Sequence, residues 1–219
     1  MVSAGVARSA GEREAGQARV VRPSCFSGDD RALLEGLRRG DAGAFVALYD
    51  RYAPHLRRVL ARVMGVDDEL PELLHDTFVS AFAGFRGLRD DACLQAWLTR
   101  IAVFTARGCI RRRRRRRWLE FRAPEAIEDP PVSHAEPEDV QALRRAYLAL
   151  ERLGADERIV FALRYLEQMT VAEAASACGV SPATVKRRLA RAEEAFSAIA
   201  REDPVLRSWV EESPRWRDR

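Results

Sequence analysis

The stretch Thr170–Ala192 has the sequence TVAEAASACGVSPATVKRRLARA, in which two short helical patterns are separated by a glycine. Thr170 and Glu173 have the spacing of a capping box, in which each side chain accepts a hydrogen bond from the backbone N–H of the other residue. Gly179 suits the left-handed residue that ends the first helix, and Ser181 suits the start of the second. The stretch therefore predicts a helix-turn-helix.

The second helix of this pair is basic. Val185 and Leu189 are four residues apart, which predicts the side that faces the core. Such a helix is typical of one that enters a major groove of DNA, and the alternative is a helical hairpin with a solvated basic face. The residues of this helix that we expect at DNA are Ser181, Ala183, Thr184, Lys186, Arg187, Arg188 and Arg191.

Charge is distributed unevenly along the 219 residues, although the net charge is only +4. Residues 100–122 contain ten arginines and a single acid, whereas residues 123–143 contain six acids and no lysine or arginine. A basic block beside an acidic one predicts a polyanion-binding surface followed by a solvated connector.

Helical periodicity extends through most of the chain, and no strand pattern interrupts it. Residues 123–137 carry four prolines and no periodicity, which predicts a linker. The predicted fold is all-α, with two small helical domains, the second containing the helix-turn-helix, joined by a flexible acidic linker. The other predicted helices are Asp29–Arg39, Asp41–Gly65, Pro71–Phe82, Cys93 through the arginine run, Glu138–Leu153 and Asp156–Gln168.

Several classes of protein are disfavoured by the composition. The four cysteines show no paired spacing for a metal or a disulfide framework, and no apolar run approaches the ~18 residues of a membrane span. Residues 1–28 lack the apolar segment of a signal peptide, so we expect a disordered tail on a cytoplasmic protein. With no nucleotide loop, metal spacing or nucleophile–base pair, we expect no active site, metal or cofactor.

Three further motifs precede the helix-turn-helix. They are Gly40-Asp41-x-x-Ala44-Phe45-x-x-Leu48-Tyr49; Phe85-Arg86-Gly87 followed by Trp97-Leu98-x-Arg100-Ile101-Ala102; and Leu150-x-x-Leu153 followed by Arg158-x-Val160-Phe161-x-Leu163-Arg164-Tyr165. With the recognition helix from Ser181 to Ala192, they resemble the extracytoplasmic-function (ECF) type of bacterial RNA polymerase sigma factor. The resemblance covers about Asp29–Ala200.

This resemblance implies partners and a division into domains. Core RNA polymerase and promoter DNA are the implied partners, and an anti-sigma factor is a further candidate. Sigma domain two would occupy residues 29–122 and bind the core polymerase and the minus-ten element, and sigma domain four would occupy residues 138–200 and bind the minus-thirty-five element. The linker at 123–137 would thread through the RNA path of the polymerase, unless it is only a soluble spacer, and residues 201–219 would form a tail.

The third predicted helix carries an acidic face. Glu72, Asp76 and Ser80 are spaced four residues apart, a pattern that is usually solvated surface. In the resembled family this helix docks on a coiled coil of the polymerase, and His75 stands where glutamine is common. The implied residues for binding core polymerase are Glu72, His75, Asp76 and Phe78.

The fourth predicted helix has the aromatic and cationic side chains that stabilise single-stranded DNA. Trp97 could instead belong to the core with Ile101, and Phe104 could be either a stacking platform or a core residue. Phe104 and Gly108 stand where the family has asparagine and aspartate, which predicts weaker discrimination at the upstream edge of the minus-ten element. The expected minus-ten residues are Arg86, Trp97, Arg100, Phe104, Arg107, Arg111 and Arg112.

Two other functions remain open from the sequence. A stand-alone regulator with a response-regulator type of helix-turn-helix would need a receiver or ligand domain, and residues 29–117 lack the alternating strands and helices of such a domain. An adaptor that sequesters polymerase without binding DNA would not need the basic recognition helix. Co-purification with core polymerase separates the sigma factor from both alternatives.

Overall fold

The computed structural model describes residues 28–65, 67–88, 94–119 and 138–207. Within these ranges the chain is helical, and no strand occurs in them. The predicted linker at 123–137 lies outside the described residues, as do residues 1–27 and 208–219. The helices are α1 (Asp30–Arg39), α2 (Ala42–Met64), α3 (Leu70–Gly84), α4 (Leu94–Leu119), α5 (Glu138–Arg152), α6 (Ala155–Phe161), α7 (Val171–Cys178) and α8 (Pro182–Glu202).

Capping residues set the helix ends much as the sequence predicts. The Asp29 carboxylate accepts a hydrogen bond from the Ala32 N–H at 2.9 Å, and α1 ends at Gly40 with a φ of 75°. The Asp41 carboxylate caps α2 in the same way through the N–H of Gly43. Each cap satisfies a backbone group that the helix itself leaves unpaired.

Two segments differ from the sequence prediction. Helix α3 extends to Gly84, beyond the predicted end at Phe82, and a single 3₁₀ turn at Phe85–Gly87 follows it. Helix α6 is shorter than predicted and continues as a wide turn, Ala162–Leu166, in which the Glu167 N–H donates to the Ala162 carbonyl at 2.9 Å. A hydrogen bond between residues five positions apart makes the helix locally wider. The hydrophobic periodicity of the sequence does not signal this change.

The first core lies among α1–α4. Leu33, Leu56 and Leu98 are fully buried in it, one from each of three helices. An aromatic group closes one side, where the rings of Phe45 and Phe82 meet edge to face with centroids 5.0 Å apart. These side chains recur at helical spacing in the sequence, so the pattern and the packing agree.

The second core lies between α5, α6 and the later part of α8. Leu150, Phe161 and Phe196 are buried there, and the two phenylalanine rings lie 4.9 Å apart. A helical turn at residues 204–207 closes the cluster with the buried Leu206. The sequence predicts a tail at residues 201–219, and the packing of Leu206 shows that the start of this segment belongs to the second core.

The N-terminal module, formed by α1–α4, and the C-terminal module, formed by α5–α8, pack against one another. The first hydrophobic cluster continues from α1–α4 into α6, the wide turn, α7 and the start of α8, with Val160, Leu163 and Val185 completely buried in it. Helix α4 contacts α6 and α7, and α2 contacts the wide turn. We call this continuous contact between α2 or α4 and the C-terminal module the seam.

Arg158 is a polar feature of the seam that the sequence did not predict. It is only 4% exposed, and its guanidinium donates to the carbonyls of Val63 and Met64, both at 2.9 Å. Those carbonyls end α2, where a positive charge is favourable because the helix dipole is negative there. Burial lowers the pKa of Arg158. The side chain thus caps the α2 C-terminus from the other module.

Gly65, directly after α2, is required by the same seam. Its φ is 81°, and a Cβ placed on it would lie 2.9 Å from Cδ1 of Tyr147. The left-handed backbone and the close ring both favour glycine. In none of the described helices is there a segment long and apolar enough to cross a membrane.

Candidate nucleic-acid interface

The helix-turn-helix forms through the local hydrogen bonds that its sequence predicts. Thr170 and Glu173 exchange the two bonds of a capping box: the Thr170 N–H donates to Glu173 Oε2 at 2.7 Å, and the Glu173 N–H donates to Thr170 Oγ1 at 3.2 Å. Gly179 ends α7 in the left-handed conformation. Ser181 Oγ then accepts from the Thr184 N–H at 3.2 Å and starts α8. The turn is therefore built from contacts between near neighbours.

Helix α8 turns Val185 and Leu189 into the core, as predicted, and leaves a basic surface outside. Thr184 is half-buried beside the cap, whereas Arg188 is half-buried because it is held by an acidic side chain. The side chains that are exposed on the first turns are Ser181, Ala183, Lys186, Arg187 and Arg191.

Phe104 is an exposed aromatic side chain on α4. Its ring is 45% exposed, and the guanidinium carbons of Arg100 and Arg107 lie 5.7 and 4.8 Å from the ring centroid. These distances are within the range of cation–π attraction. The sequence left open whether Phe104 belongs to the core, and its exposure places it at the surface.

A cleft of about 450 Å³ lies beside this ring, between α3 and α4. Trp97 lines it and is half-buried against the first core, so the ring serves both the cleft wall and the packing. An aromatic wall with flanking cations and hydroxyls has the chemistry that holds an unstacked base. The lining residues are Ser80, Trp97, Arg100, Ile101, Phe104 and Thr105.

The arginine run at 111–117 is divided between structural and exposed side chains. Arg113 forms ion pairs with Asp67 at 2.5 Å and with Glu69 at 2.9 Å, which ties α4 to the loop before α3. The hydrogen bond from Arg113 holds the pKa of Asp67 below its ordinary value. Arg112 is exposed, as is Arg86 on the 3₁₀ turn. The sequence did not single out Arg113 because its neighbours are identical.

Helix α3 presents an acidic outer face. Glu72 and His75 are exposed, and Asp76 is half-buried. Phe78 was expected among the interface residues, and this expectation is corrected because its side chain is only 3% exposed. Its ring packs against Tyr49, with ring centroids 4.7 Å apart. Tyr49 is itself exposed, so Phe78 supports this face from beneath. Within the described ranges, no group of three or more His, Cys, Asp or Glu side chains could hold a metal ion.

Asp156, in the first turn of α6, is a functional candidate that sequence reasoning missed. Its carboxylate lies within 3.3 Å of nitrogen atoms from three arginines, Arg107 and Arg111 on α4 and Arg188 on α8. All three arginines are among those expected at DNA. An acidic residue is common in the first turn of a helix because it interacts favourably with the helix dipole. Nothing in the sequence therefore indicated that Asp156 also contacts arginines of α4 and α8.

A chain that is helical in its described residues and carries an exposed helix-turn-helix and a second arginine-rich helix falls in the class of DNA-binding transcription proteins. Comparison with protein families identifies the family within this class. Residues 48–119 match the model of Sigma-70 region 2, and residues 143–196 match the model of Sigma-70 region 4. The chain belongs to the sigma-70 family of RNA polymerase sigma factors, in its ECF type.

Two bacterial relatives illustrate the match. The ECF RNA polymerase sigma-E factor of Haemophilus influenzae is 29% identical over 174 residues, which are 75% of this chain and 92% of the relative. The RNA polymerase sigma-H factor of Pseudomonas aeruginosa is 27% identical over 188 residues, which are 81% of this chain and 96% of the relative. The similarity therefore spans both modules.

Two solved structures share the fold. CnrH, solved in complex with the cytosolic domain of CnrY, has a TM-score of 0.54 and 24% identity over 80% of this chain and 98% of its own. The sigma factor RpoE from Bartonella quintana, solved with the anti-sigma factor NepR, has a TM-score of 0.52 and 24% identity over 73% of this chain and 98% of its own. The matches to Sigma-70 regions 2 and 4 and to the sigma-E and sigma-H factors, and not these structures alone, show that the chain acts as a sigma factor, which directs RNA polymerase to promoters.

Proposed function

We propose that this chain binds core RNA polymerase through the outer face of α3, binds the minus-thirty-five element with α8, and supports opening of the minus-ten element with α4. The observation that supports this proposal most directly is the helix-turn-helix, whose caps and exposed basic helix have the form that inserts into a major groove. The protein needs no catalytic group of its own, and it works in the cytoplasm with the polymerase.

The exposed side chains of α8 differ in which part of the DNA we expect them to contact. Lys186 and Arg187 are exposed on the second turn, and Arg191 follows one turn later. Side chains near the start of a recognition helix contact base edges, and those farther along contact phosphates. Ser181, Ala183 and Thr184 lie closest to the helix start, where their small size permits close approach of the base edges.

On α4 the cleft beside Phe104 suits a base that has left the stack. Stacking accepts any base because every base has a π-face, and the flanking Arg100 and Arg107 would neutralise the phosphates of the strand. Arg86, Arg111 and Arg112 extend this cationic track. Because Phe104 offers no hydrogen bond, we expect the site to open DNA without reading its upstream edge closely.

On α3 the exposed Glu72 and His75 and the half-buried Asp76 form a polar face for core polymerase, with Tyr49 as its apolar neighbour. Charged and polar groups on such a surface set the partner and speed the encounter more than they set affinity. The proposed domain bounds are 29–122 and 138–200, with a linker at 123–137. Tails at 1–28 and 201–219 complete this organisation, and the start of the second tail packs on the second core through Leu206.

An anti-sigma factor is a further partner that we propose for this chain. The two structural relatives were solved with CnrY and with the anti-sigma factor NepR. A sigma factor of similar architecture offers a similar helical surface for such a protein.

Run-off transcription with purified core polymerase on genomic fragments tests the proposed function. We expect transcripts of defined length that require this chain, together with co-purification of the chain and the core enzyme. DNA binding without any effect on core polymerase would instead support a stand-alone regulator. Core binding without promoter-specific transcripts would support an adaptor.

A further inference from the structure

The 3₁₀ turn Phe85–Gly87 follows α3 directly and carries Arg86, whose side chain is exposed. The turn begins beside the cleft between α3 and α4. The Trp97 ring, which lines that cleft, lies against Gly84, where a Cβ would be 3.4 Å from Trp97 Cζ2. The conformation of the turn therefore decides where Arg86 lies relative to the surface that we propose for the minus-ten strand.

The turn has little stability of its own. Its internal hydrogen bond, from the Leu88 N–H to the Phe85 carbonyl, is 3.1 Å long. A 3₁₀ hydrogen bond has poorer geometry than that of an α-helix, so a single turn needs contacts from other elements. The Phe85 side chain supplies one of them, because it is buried and its ring meets that of Phe45 on α2 edge to face, with centroids 6.2 Å apart. This contact fixes the beginning of the turn.

Arg38, in the last turn of α1, holds the other end. Its Nη2 donates a hydrogen bond to the Leu88 carbonyl at 2.6 Å, although the two residues are 50 positions apart in the sequence. A hydrogen bond from a charged donor is roughly twice as strong as one between neutral groups. Arg38 is exposed, so this bond places the turn without forming part of the core.

We propose that Arg38 is a positioning residue for promoter opening, which holds the Leu88 end of the turn so that Arg86 lies ready beside the cleft of α4. The inference rests on the proposed function of α4 and Arg86 at the minus-ten element. Without Arg38 the end of the turn is released, and Arg86 samples more positions in the free protein. The entropy of ordering it must then be lost when the DNA strand binds, which weakens opening.

A direct contact of Arg38 with DNA would give a different result. If Arg38 and Arg86 each neutralised a phosphate, their removal would weaken opening independently, and each would reduce the salt slope by about one. If Arg38 acts through Arg86, its removal has no further effect once Arg86 is absent. A double-mutant cycle between the two arginines therefore separates positioning from contact.

The test compares wild type with Arg38→Ala, Arg86→Ala and the double variant. Arg39→Ala is the matched control, since it removes the same charge from the next, exposed position on α1. Opening of a cognate promoter by each holoenzyme is followed by permanganate footprinting at several salt concentrations. We expect Arg38→Ala to reduce opening about three- to tenfold, the range for ordering one long side chain. The double variant should match Arg86→Ala, and Arg39→Ala should match wild type.

Hydrogen exchange in the free chain measures the hold on the turn without DNA or polymerase. The peptide that contains residues 85–88 should exchange several-fold faster in Arg38→Ala than in wild type or Arg39→Ala, because local opening becomes easier. Arg38→Met keeps the aliphatic stem and lacks the donor, so it should behave as Arg38→Ala does and guards against a defect in the packing of α1.

Unchanged exchange in both Arg38 variants would overturn the proposal, as would additive losses in the double variant or an equal loss in Arg39→Ala. The proposed function has its own outcome. If the wild-type chain opened no promoter with core polymerase, that function would fail, while the exchange rates would still show whether Arg38 holds the turn.

Discussion

Phe104 is the residue whose surroundings most directly decide its role. Its ring is exposed and touched by two cations, not enclosed by the core. We expect Phe104→Ala to lower the free energy of unfolding by no more than about 1 kcal/mol, the scale of an exposed cation–π contact. Promoter opening should weaken by ~1–3 kcal/mol because a stacking platform is lost. Denaturant unfolding and permanganate footprinting measure the two effects.

Leu98→Ala on the same helix is the matched control, since Leu98 is fully buried. It should cost ~2–5 kcal/mol of stability through the cavity that it leaves. If Phe104→Ala destabilised the chain as much as Leu98→Ala while DNA opening stayed normal, Phe104 would belong to the packing of the domain and not to its DNA surface.

His55 gives the first module a dependence on pH. Its Nδ1 lies 3.1 Å from Arg58 Nη2 and its Nε2 lies 2.8 Å from Thr99 Oγ1. Arginine can only donate, so Nδ1 accepts and Nε2 carries the proton. Burial, followed by the Arg58 charge, lowers the pKa of His55 from its ordinary 6.5, and Glu167 opposes the shift. At pH 7 the folded chain therefore holds His55 neutral.

Because the unfolded chain binds this proton more readily, stability should fall as the pH falls through 6.5 and below. His55→Gln should flatten the change in unfolding free energy between about pH 7 and pH 5.5. His75→Gln makes the same substitution at an exposed position on α3 and serves as the control. An unchanged slope in His55→Gln would assign the pH dependence to another group.

At the scale of elements, α8 combines a structural face with a reading face. Lys186 is exposed and, unlike Arg188, is not paired with Asp156, so its role at DNA can be tested without disturbing the seam. Lys186→Ala should cost ~1–3 kcal/mol of promoter discrimination if the side chain reaches a base. If it contacts phosphate, the loss should be smaller and uniform across sequences, with a reduced salt slope. Quantitative promoter binding of the polymerase holoenzyme at several salt concentrations gives both values.

Arg201→Ala provides the comparison, because Arg201 is exposed near the far end of the same helix. It removes the same charge away from the proposed groove surface and should leave discrimination unchanged. Equal effects of the two variants would mean that α8 attracts DNA only through its net charge.

The outer face of α3 makes a separate prediction about core polymerase. Reversing Glu72 and Asp76 together to arginine should abolish co-purification, because basic groups on the partner would then meet like charges. The helix content, followed by circular dichroism, should be preserved since neither side chain is in the core.

The matched control reverses Glu194 and Glu202, both exposed on α8, and changes the net charge by the same amount. This control should bind core polymerase normally. A folded Glu72→Arg/Asp76→Arg protein that co-purified as well as the control would exclude α3 as the docking face.

For the whole molecule, the sequence predicted the helices far better than their association. Caps such as Asp29, Thr170 and Ser181 bond to residues within three positions, so a short pattern contains the whole interaction. Arg158 bonds to Val63, 95 positions away, and Asp156 bonds to Arg111, 45 positions away. A single chain sequence has no periodic signal for pairs at that separation.

The same limit of prediction from sequence applies to individual side chains of the proposed DNA surface. Lys186 and Arg187 were predicted at the surface of α8 and are exposed there, because helical spacing alone decides which side chains face outward. The roles of the arginines in 111–117 could not be assigned from identical neighbours. Only the fold shows that Arg113 is bound by acidic groups while Arg112 faces solvent.

Cys178 carries a consequence of the seam that can be observed chemically. The side chain is 1% exposed, and burial raises the pKa of its thiol. A thiol in that state reacts with an alkylating reagent only when the surrounding structure separates, because both access and ionisation are withheld. Its modification rate, resolved by peptide mass, therefore measures how often the packing around α7 opens, as amide exchange measures local unfolding. Because α7 packs on α4, this native thiol reports on the contact between the helix-turn-helix and the arginine-rich helix without an added probe.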